Sequence, residues 1–386
     1  MKKIGFIIIA CILVMFTAAA CNTKKEIAGV KTSDEIQQSS EESTDIKESV
    51  KASVNENTGS GQKDSGDPEF ELIYNPPVGG SPENIGKIVF ASDAGDTTQA
   101  DYDLFVMDPD GSNKVQLTTF GKFIEHPAWS PEYSRIAYSS NIDNNTGIYI
   151  MTADGKVNMQ LTFGGDNSDD KFPTWSPDGK YIAYTSYTYG DTGNTANLFV
   201  IDIYGKNIRQ LTFLEGVDDY ATWASWSPVS DVIAFTLNKA GDEINGGLYT
   251  IKADGTEMTE ILSSNEIDLG DSEPTWSSDG RIIYFISNRS RHNEIWKVDY
   301  YKIIHNMTVT DDTKYDDIGL MQISNLYDGT HIDHRPRISP DDKKIVFYGV
   351  GQDWNNIGTN LYTINIDGTG LTNITKSIDG SEWPDW

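Results

Sequence analysis

One unit of about fifty residues recurs along most of this 386-residue chain, and self-similarity at a fixed period restricts the fold to a repeat architecture. Its clearest copy runs Phe172-Pro-Thr-Trp-Ser-Pro-Asp-Gly-Lys-Tyr-Ile-Ala-Tyr-Thr-Ser186, a polar loop, Asn197-Leu-Phe-Val-Ile-Asp202, a turn at Tyr204-Gly205, and Arg209-Gln-Leu-Thr212. Short β-branched and aromatic runs punctuated by Gly, Asp, Asn and Pro read as strands, and four fit each copy. The other copies follow their Trp-Ser element: Trp129-Ser130, Trp226-Ser227, Trp276-Ser277 and, with tryptophan lost, Ile338-Ser339. A last partial copy ends on Trp386. Successive spacings from Trp129 are 46, 51, 50, 62 and 48, the long one reflecting an insertion at 300–320 in the fifth unit.

The second half of each unit is equally regular. Leu104 to Gly111, Ile148 to Gly155, Leu248 to Gly255 and Leu361 to Gly368 each read as an apolar strand entering an Asp-Gly turn, followed by a second short strand ending on Leu117-Thr118, Leu161-Thr162, Ile261-Leu262 and Ile374-Thr375. Glycine supplies the positive φ such hairpin turns require, so the Asp-Gly and Ser-Pro-Asp-Gly segments are turn chemistry and not catalytic. Lys87 to Ser92 begins a unit that lacks its Pro-x-Trp strand, whereas Trp383-Pro-Asp-Trp386 is such a strand with no unit after it. Each supplies what the other lacks. The expected fold is therefore all-β: a six-bladed β-propeller of four-stranded blades over 71–386, closed by the C-terminal strand, which leaves no sheet edge open. The repeat tryptophans are expected to pack between blades.

Ahead of the repeats, Lys2 and Lys3 precede an apolar run, Ile4 to Phe16, then Thr17-Ala-Ala-Ala20 and Cys21. Residues 1–20 read as a signal peptide, and the cysteine after small residues resembles a bacterial lipobox, in which Cys21 carries the lipid. Residues 21–70 are rich in Ser, Glu, Lys, Asp and Thr with no aromatic before Phe70, a composition that buries too little apolar area to fold. As a lipidated linker of about 48 flexible residues it would span roughly 40 Å. Cys11 falls in the leader, so the mature chain holds no internal disulfide. The net charge of −28 argues against nucleic acid as a partner.

The recurring Pro-x-Trp-Ser-Pro-Asp-Gly, Ile-Ala-Tyr/Phe, Asn-Leu-Tyr/Phe and Leu-Thr elements resemble the repeat of TolB-like propellers, from about Ile85 to Trp386. The resemblance implies the fold more narrowly than the function, because related repeats serve in protein-docking propellers, propeller lids of serine peptidases and some polysaccharide lyases. It also implies an N-terminal α/β domain where this chain carries the linker, which weakens any expectation of a Tol-Pal role. A peptidase would need a Gly-x-Ser-x-Gly elbow, and the sequence contains none. The expectation is a monomeric, non-enzymatic cell-envelope lipoprotein, held through lipid on Cys21 at the outer face of the cytoplasmic membrane or in the periplasm. Its propeller would bind a protein, peptide or glycan.

The loops leading into each Pro-x-Trp strand open beside a propeller's central channel, and each carries an acid: Glu125; Asp169 and Asp170; Asp218 and Asp219; Asp271 and Glu273; Asp333; and Glu382. Crowded carboxylates raise one another's pKa unless a cation or basic ligand is present, and oxygen ligands favour a hard ion such as Ca²⁺. A cation-binding or Lys/Arg-recognising mouth is one expectation, the acids instead bonding loop amides the other. His331 and His334 share a channel loop and His126 lies beside another, so three imidazoles could hold a transition metal. That alternative resembles propeller lyases acting on uronic-acid oligosaccharides, although an acidic mouth has the wrong sign for anionic sugar. Tyr187, Tyr189, Trp223 and Trp354, in or near loops, could offer aromatic faces to a peptide or glycan.

Overall fold

The computed structural model describes residues 84–93, 101–120, 122–142, 145–191, 193–239, 246–262, 270–306, 315–326, 331–350, 359–376 and 380–386. The signal peptide, Cys21, the linker 21–70 and Trp354 fall outside the described residues, as do the side chains of His331, Asp333 and His334.

Strands follow one another in sets of four. After β1 (Ile88–Ser92), β2 (Asp103–Met107) and β3 (Val115–Gln116) come β4 (Ile124–Trp129), β5 (Arg135–Ser140), β6 (Gly147–Thr152) and β7 (Asn158–Gln160). The third set is β8 (Ser168–Trp175), β9 (Tyr181–Gly190), β10 (Gly193–Asp202) and β11 (Arg209–Gln210). The fourth is β12 (Asp219–Trp226), β13 (Val232–Asn238), β14 (Gly247–Lys252) and β15 (Thr259–Leu262). Then come β16 (Asp271–Trp276), β17 (Ile282–Ser287), β18 (Glu294–Asp299) and β19 (Met321–Gln322), followed by β20 (His331–Ile338), β21 (Lys344–Val350), β22 (Thr359–Asn365) and β23 (Thr372–Asn373). The last strand is β24 (Ser381–Asp385). It pairs antiparallel with β1, so the first sheet runs β24-β1-β2-β3 and joins the two ends of the repeat region.

The expectation of six separate four-stranded sheets needs correction. Four sheets have that form, and the remaining eight strands, β8 to β15, make a single sheet. The cause is the length of β9 and β10, ten residues each, whose paired ends overshoot their own set. There Thr195 and Ala196 of β10 pair in parallel with Asp219 and Tyr220 of β12, welding two sets together.

The apolar core lies between neighbouring sets. Ile148, Ile150 and Leu161 meet Trp175, Ile182, Tyr184 and Ile201 of the next set, all buried. The repeat tryptophans stitch these seams: the Trp175 indole donates to the Ala128 carbonyl at 3.0 Å and that of Trp276 to Ser225 at 3.0 Å, each in the preceding inner strand. The Asp-Gly turns press on the same seams. A Cβ on Gly155, held at φ +74°, would lie 2.6 Å from the carbonyl oxygen of Leu117, and one on Gly368 2.3 Å from that of Ile323. Glycine is required there by space as well as by torsion.

The Leu-Thr element is a latch. Thr212 Oγ1 accepts from the Leu198 amide and donates to Asn197 Oδ1, both at 2.9 Å, and the same hydroxyl-to-amide bond recurs at Thr118, Thr162, Ser324 and Thr375. Within the insertion, α1 (Tyr300–Asn306) and α2 (Tyr315–Ile318) stand between β18 and β19. Ile303 and Ile318 are buried against the core around Trp276, which anchors both helices to the sheet.

Candidate functional site

Each inner strand carries a register break at its centre, for example between Glu125 and Ala128 in β4 and between Lys171 and Thr174 in β8. The residue at the break is left-handed in every set: His126, Phe172, Trp223, Glu273, Arg335 and Trp383 have φ between 49° and 61°. None is glycine and five precede proline, so each torsion costs of order 1 kcal/mol or more, held by the surrounding pairing. The bulge re-aims these six side chains inward.

Inside the ring they meet one another. The His126 ring lies 4.2 Å from Phe172, 5.6 Å from Trp223 and 5.0 Å from Trp383, and Phe172 lies 4.0 Å from Trp223. The Arg335 guanidinium sits 5.5 Å over the Trp223 face, and Glu273 accepts the Arg335 amide. Contacts such as His126 to Trp223, from strands two sets apart, are possible only across a common axis. The channel is filled at this level by a plug of aromatic rings and one buried acid-base couple. Burial, with Arg335 and Lys171 nearby, holds His126 well below the usual imidazole range, so it is neutral. Its ring packs among Phe172, Trp223 and Trp383.

The strands alternate in direction, so the loops entering the inner strands and the hairpins between second and third strands emerge at one end, hereafter the upper mouth. Most of the acids expected there are already engaged. Glu125 is buried and pairs with Lys171 Nζ at 2.8 Å, burial raising its pKa against the pull of the lysine. Asp170 turns into its sheet and bonds the hydroxyls of Ser186 and Thr162 and the Gly164 amide, while burial works to raise its pKa. Asp271, fully buried, pairs with Arg289, and burial pushes its pKa up to about 6. Glu273 belongs to the plug. Glu382 accepts from Thr359 at 3.0 Å and from the Tyr102 hydroxyl at 3.4 Å. Asp169 accepts from Tyr189 at 2.8 Å, Asp218 from Tyr220 at 2.9 Å, and Asp219 sits in the bridge to β10. Among the described residues no three His, Cys, Asp or Glu side chains converge to hold a metal.

What these bonds do gather is one aromatic sector. Phe172, Tyr187, Tyr189 and Tyr220 form a chain, with Tyr187 6.2 Å from Phe172, 6.3 Å from Tyr189 and 6.2 Å from Tyr220. Trp223, expected near a loop, is instead in the plug at the middle of β12. At the same end, the loops after β7 and β11 present Phe163 and Phe213, 70% and 73% exposed, and the loop after β3 presents Phe120, 40% exposed. Exposed Asp166, Asp191, Glu215 and Asp218 lie in the same loops and hairpin. Three consecutive sets thus carry a phenylalanine at the same exit, whereas the described residues following β19 and β23 offer Asn325 and Lys376. Aligning the repeats on their tryptophans makes both features visible: the column three residues before it reads His, Phe, Trp, Glu, Arg, Trp, and the residues after Leu-Thr are aromatic in only half the units.

The opposite end of the channel opens into a cavity of about 340 Å³ bordered by all six inner strands. Among the residues just before the repeat tryptophan, Ala128, Thr174, Ser225 and Thr275 are uncharged, and Arg337 and Asp385 form an ion pair at 3.2 Å.

Comparison with known proteins places this architecture. A family model described as the TolB beta propeller domain matches residues 85–243 and 173–317. The Tol-Pal system protein TolB of Francisella tularensis subsp. holarctica (strain OSU18) is 27% identical over 294 residues, 74% of this chain and 59% of that protein. The chain therefore spans less than two thirds of the curated relatives it matches. Among solved structures, TolB from Acinetobacter baumannii superposes with a TM-score of 0.59 at 20% identity, covering 78% of this chain and 66% of the other. A putative TolB from Agrobacterium tumefaciens gives 0.53 at 18% identity, covering 75% and 88%. At these identities the two structures speak for the fold alone.

Proposed function

The chain belongs to the TolB β-propeller domain family, and from that premise we propose that it is an exported docking protein whose upper mouth receives a basic protein or peptide segment. The observation that carries this reading is the one-sided aromatic sector: Phe120, Phe163, Phe213 and Tyr189 stand exposed at one end of adjoining sets, with exposed carboxylates in the neighbouring loops. Single apolar residues scattered on a surface need no explanation, but large aromatic side chains repeated at the same exit of consecutive sets, with carboxylates in the same loops, favour an interaction site. The acidic rim and the net charge of −28 select a cationic partner and speed its approach.

Because β8 to β15 divide by strand order into two inner-to-outer sets joined only at the β10–β12 bridge, we count them as two blades, giving a six-bladed ring. The relatives are proteins of a Tol-Pal system, which supports a protein partner in the cell envelope. The leader and Cys21 support export and lipid anchoring, which incorporation of an alkyne-tagged palmitate, abolished by Cys21→Ala, checks. The docking reading is tested in the host cell with a photo-crosslinking residue at Phe163 or Phe213, and at Tyr204 on the opposite end as control. A discrete adduct from the first two sites alone, weakened by added salt, is expected. Equal adducts from all three sites, or none, would defeat the reading.

A further inference from the structure

We infer that the lower half of the channel is a carboxylate-binding site built on Arg335 and Arg337. Arg335 is 2% exposed, and among the described residues its Nε and Nη1 have no hydrogen-bond partner. Leaving buried guanidinium donors unfilled is costly, so a side chain kept in this state calls for an acceptor. Its contact with Trp223, on a strand two sets away, shows that the guanidinium faces the channel axis. Two residues further along β20, Arg337 lines the cavity beneath and pairs with Asp385.

The site is selective for sign and size. Asp385 is committed twice, to Arg337 and, through Oδ2, to the Trp129 amide at 2.7 Å. It leaves Nε and Nη1 of Arg335 unfilled. Glu273 is taken by the Arg335 backbone amide rather than by the guanidinium. A carboxylate reaching the axis from the cavity would take a charge-assisted hydrogen bond from one of the unfilled Arg335 donors, with Arg337, which lines the cavity, as a second cation and the walls of Ala128, Thr174 and Ser225 leaving room for a small group behind it. Two sources share this chemistry: a small free carboxylic acid, or the terminal carboxylate of a peptide that enters from below. The site lies at the opposite end from the docking face, so the failure of either proposal leaves the other standing.

The test is a titration of the full chain with acetate and with its neutral analogue acetamide at fixed ionic strength, following tryptophan fluorescence, since Trp223 lies under Arg335, and the melting temperature. Acetate should give a saturable change and acetamide none. Arg335→Met should weaken acetate at least about tenfold, the worth of a charge-assisted hydrogen bond. Arg337→Gln, at a side chain that reaches the cavity surface, should weaken it less while keeping the fold, which secures the result if Arg335→Met does not fold. A tripeptide acid that binds more tightly than acetate, against its amide, identifies a chain end as the source; an acid no tighter than acetate identifies a free small molecule. Equal responses to acetate and acetamide, or affinities unchanged in both arginine variants, would overturn the proposal.

Discussion

The Trp386 indole donates to the carbonyl of Gly86, 300 residues earlier in sequence, at 2.8 Å. The bond sits beside the pairing of β24 with β1, and it makes one blade out of the two ends of the repeat region. Tyr133 of the neighbouring blade packs at the same corner, reaching the Trp386 carbonyl at 3.5 Å. Trp386→Ala removes a buried ring and this hydrogen bond together, and should cost about 3–5 kcal/mol. A urea midpoint unchanged within error would show that the closure does not depend on this residue.

The exposed phenylalanines should behave as surface and not as core. Phe163→Ser combined with Phe213→Ser is expected to leave stability within about 0.5 kcal/mol, while abolishing the adduct formed from a crosslinker placed at Tyr189. Loss of stability of several kcal/mol would assign these residues a packing role instead.

The turn aspartates set part of the acid sensitivity. Asp154 accepts from the Thr152 hydroxyl at 2.6 Å, from Lys156 Nζ at 2.9 Å and from the Lys156 amide at 3.2 Å, and these bonds lower its pKa from 3.8 to about 2. A carboxylate favoured by the folded state contributes stability above pH 4, and the contribution disappears as pH falls toward 2. Asp154→Asn should therefore be less stable than the parent at pH 6 and indistinguishable from it near pH 2, by chemical denaturation at both values. The side chain is about half exposed, so the difference is small.

The Leu-Thr latch predicts a sharper effect from a smaller change. Thr212→Val keeps the shape but strands the Leu198 amide inside the blade, a cost of about 1–3 kcal/mol, while Asn197 Oδ1 keeps the Leu214 amide as donor. The same substitution at exposed Thr119, next to the equivalent latch residue Thr118, should be nearly neutral. Comparable losses at the two sites would remove the latch as the explanation.

Much of this fold was legible before any coordinates. The strands, Asp-Gly turns, ring closure and seam tryptophans all follow from chemistry local to one repeat, and comparing copies multiplies a weak signal. The site was less legible for the same reason. Asp170 and Asp271 resemble mouth carboxylates in sequence, but one turns into its sheet and the other onto Arg289. Trp223 reads as a loop aromatic, yet a left-handed bulge swings it onto the axis.

The sequence by itself determined the repeat, the number and order of its strands, and the need for the two ends of the repeat region to meet, because period and turn chemistry are properties of neighbouring residues. Only the tertiary structure decided that β8 to β15 merge into one sheet, that six unlike side chains plug the channel, and that Arg335 is left with donors to spare. Those outcomes depend on which groups from different blades arrive at the same axis, and burial there turns on partners that lie up to hundreds of residues apart.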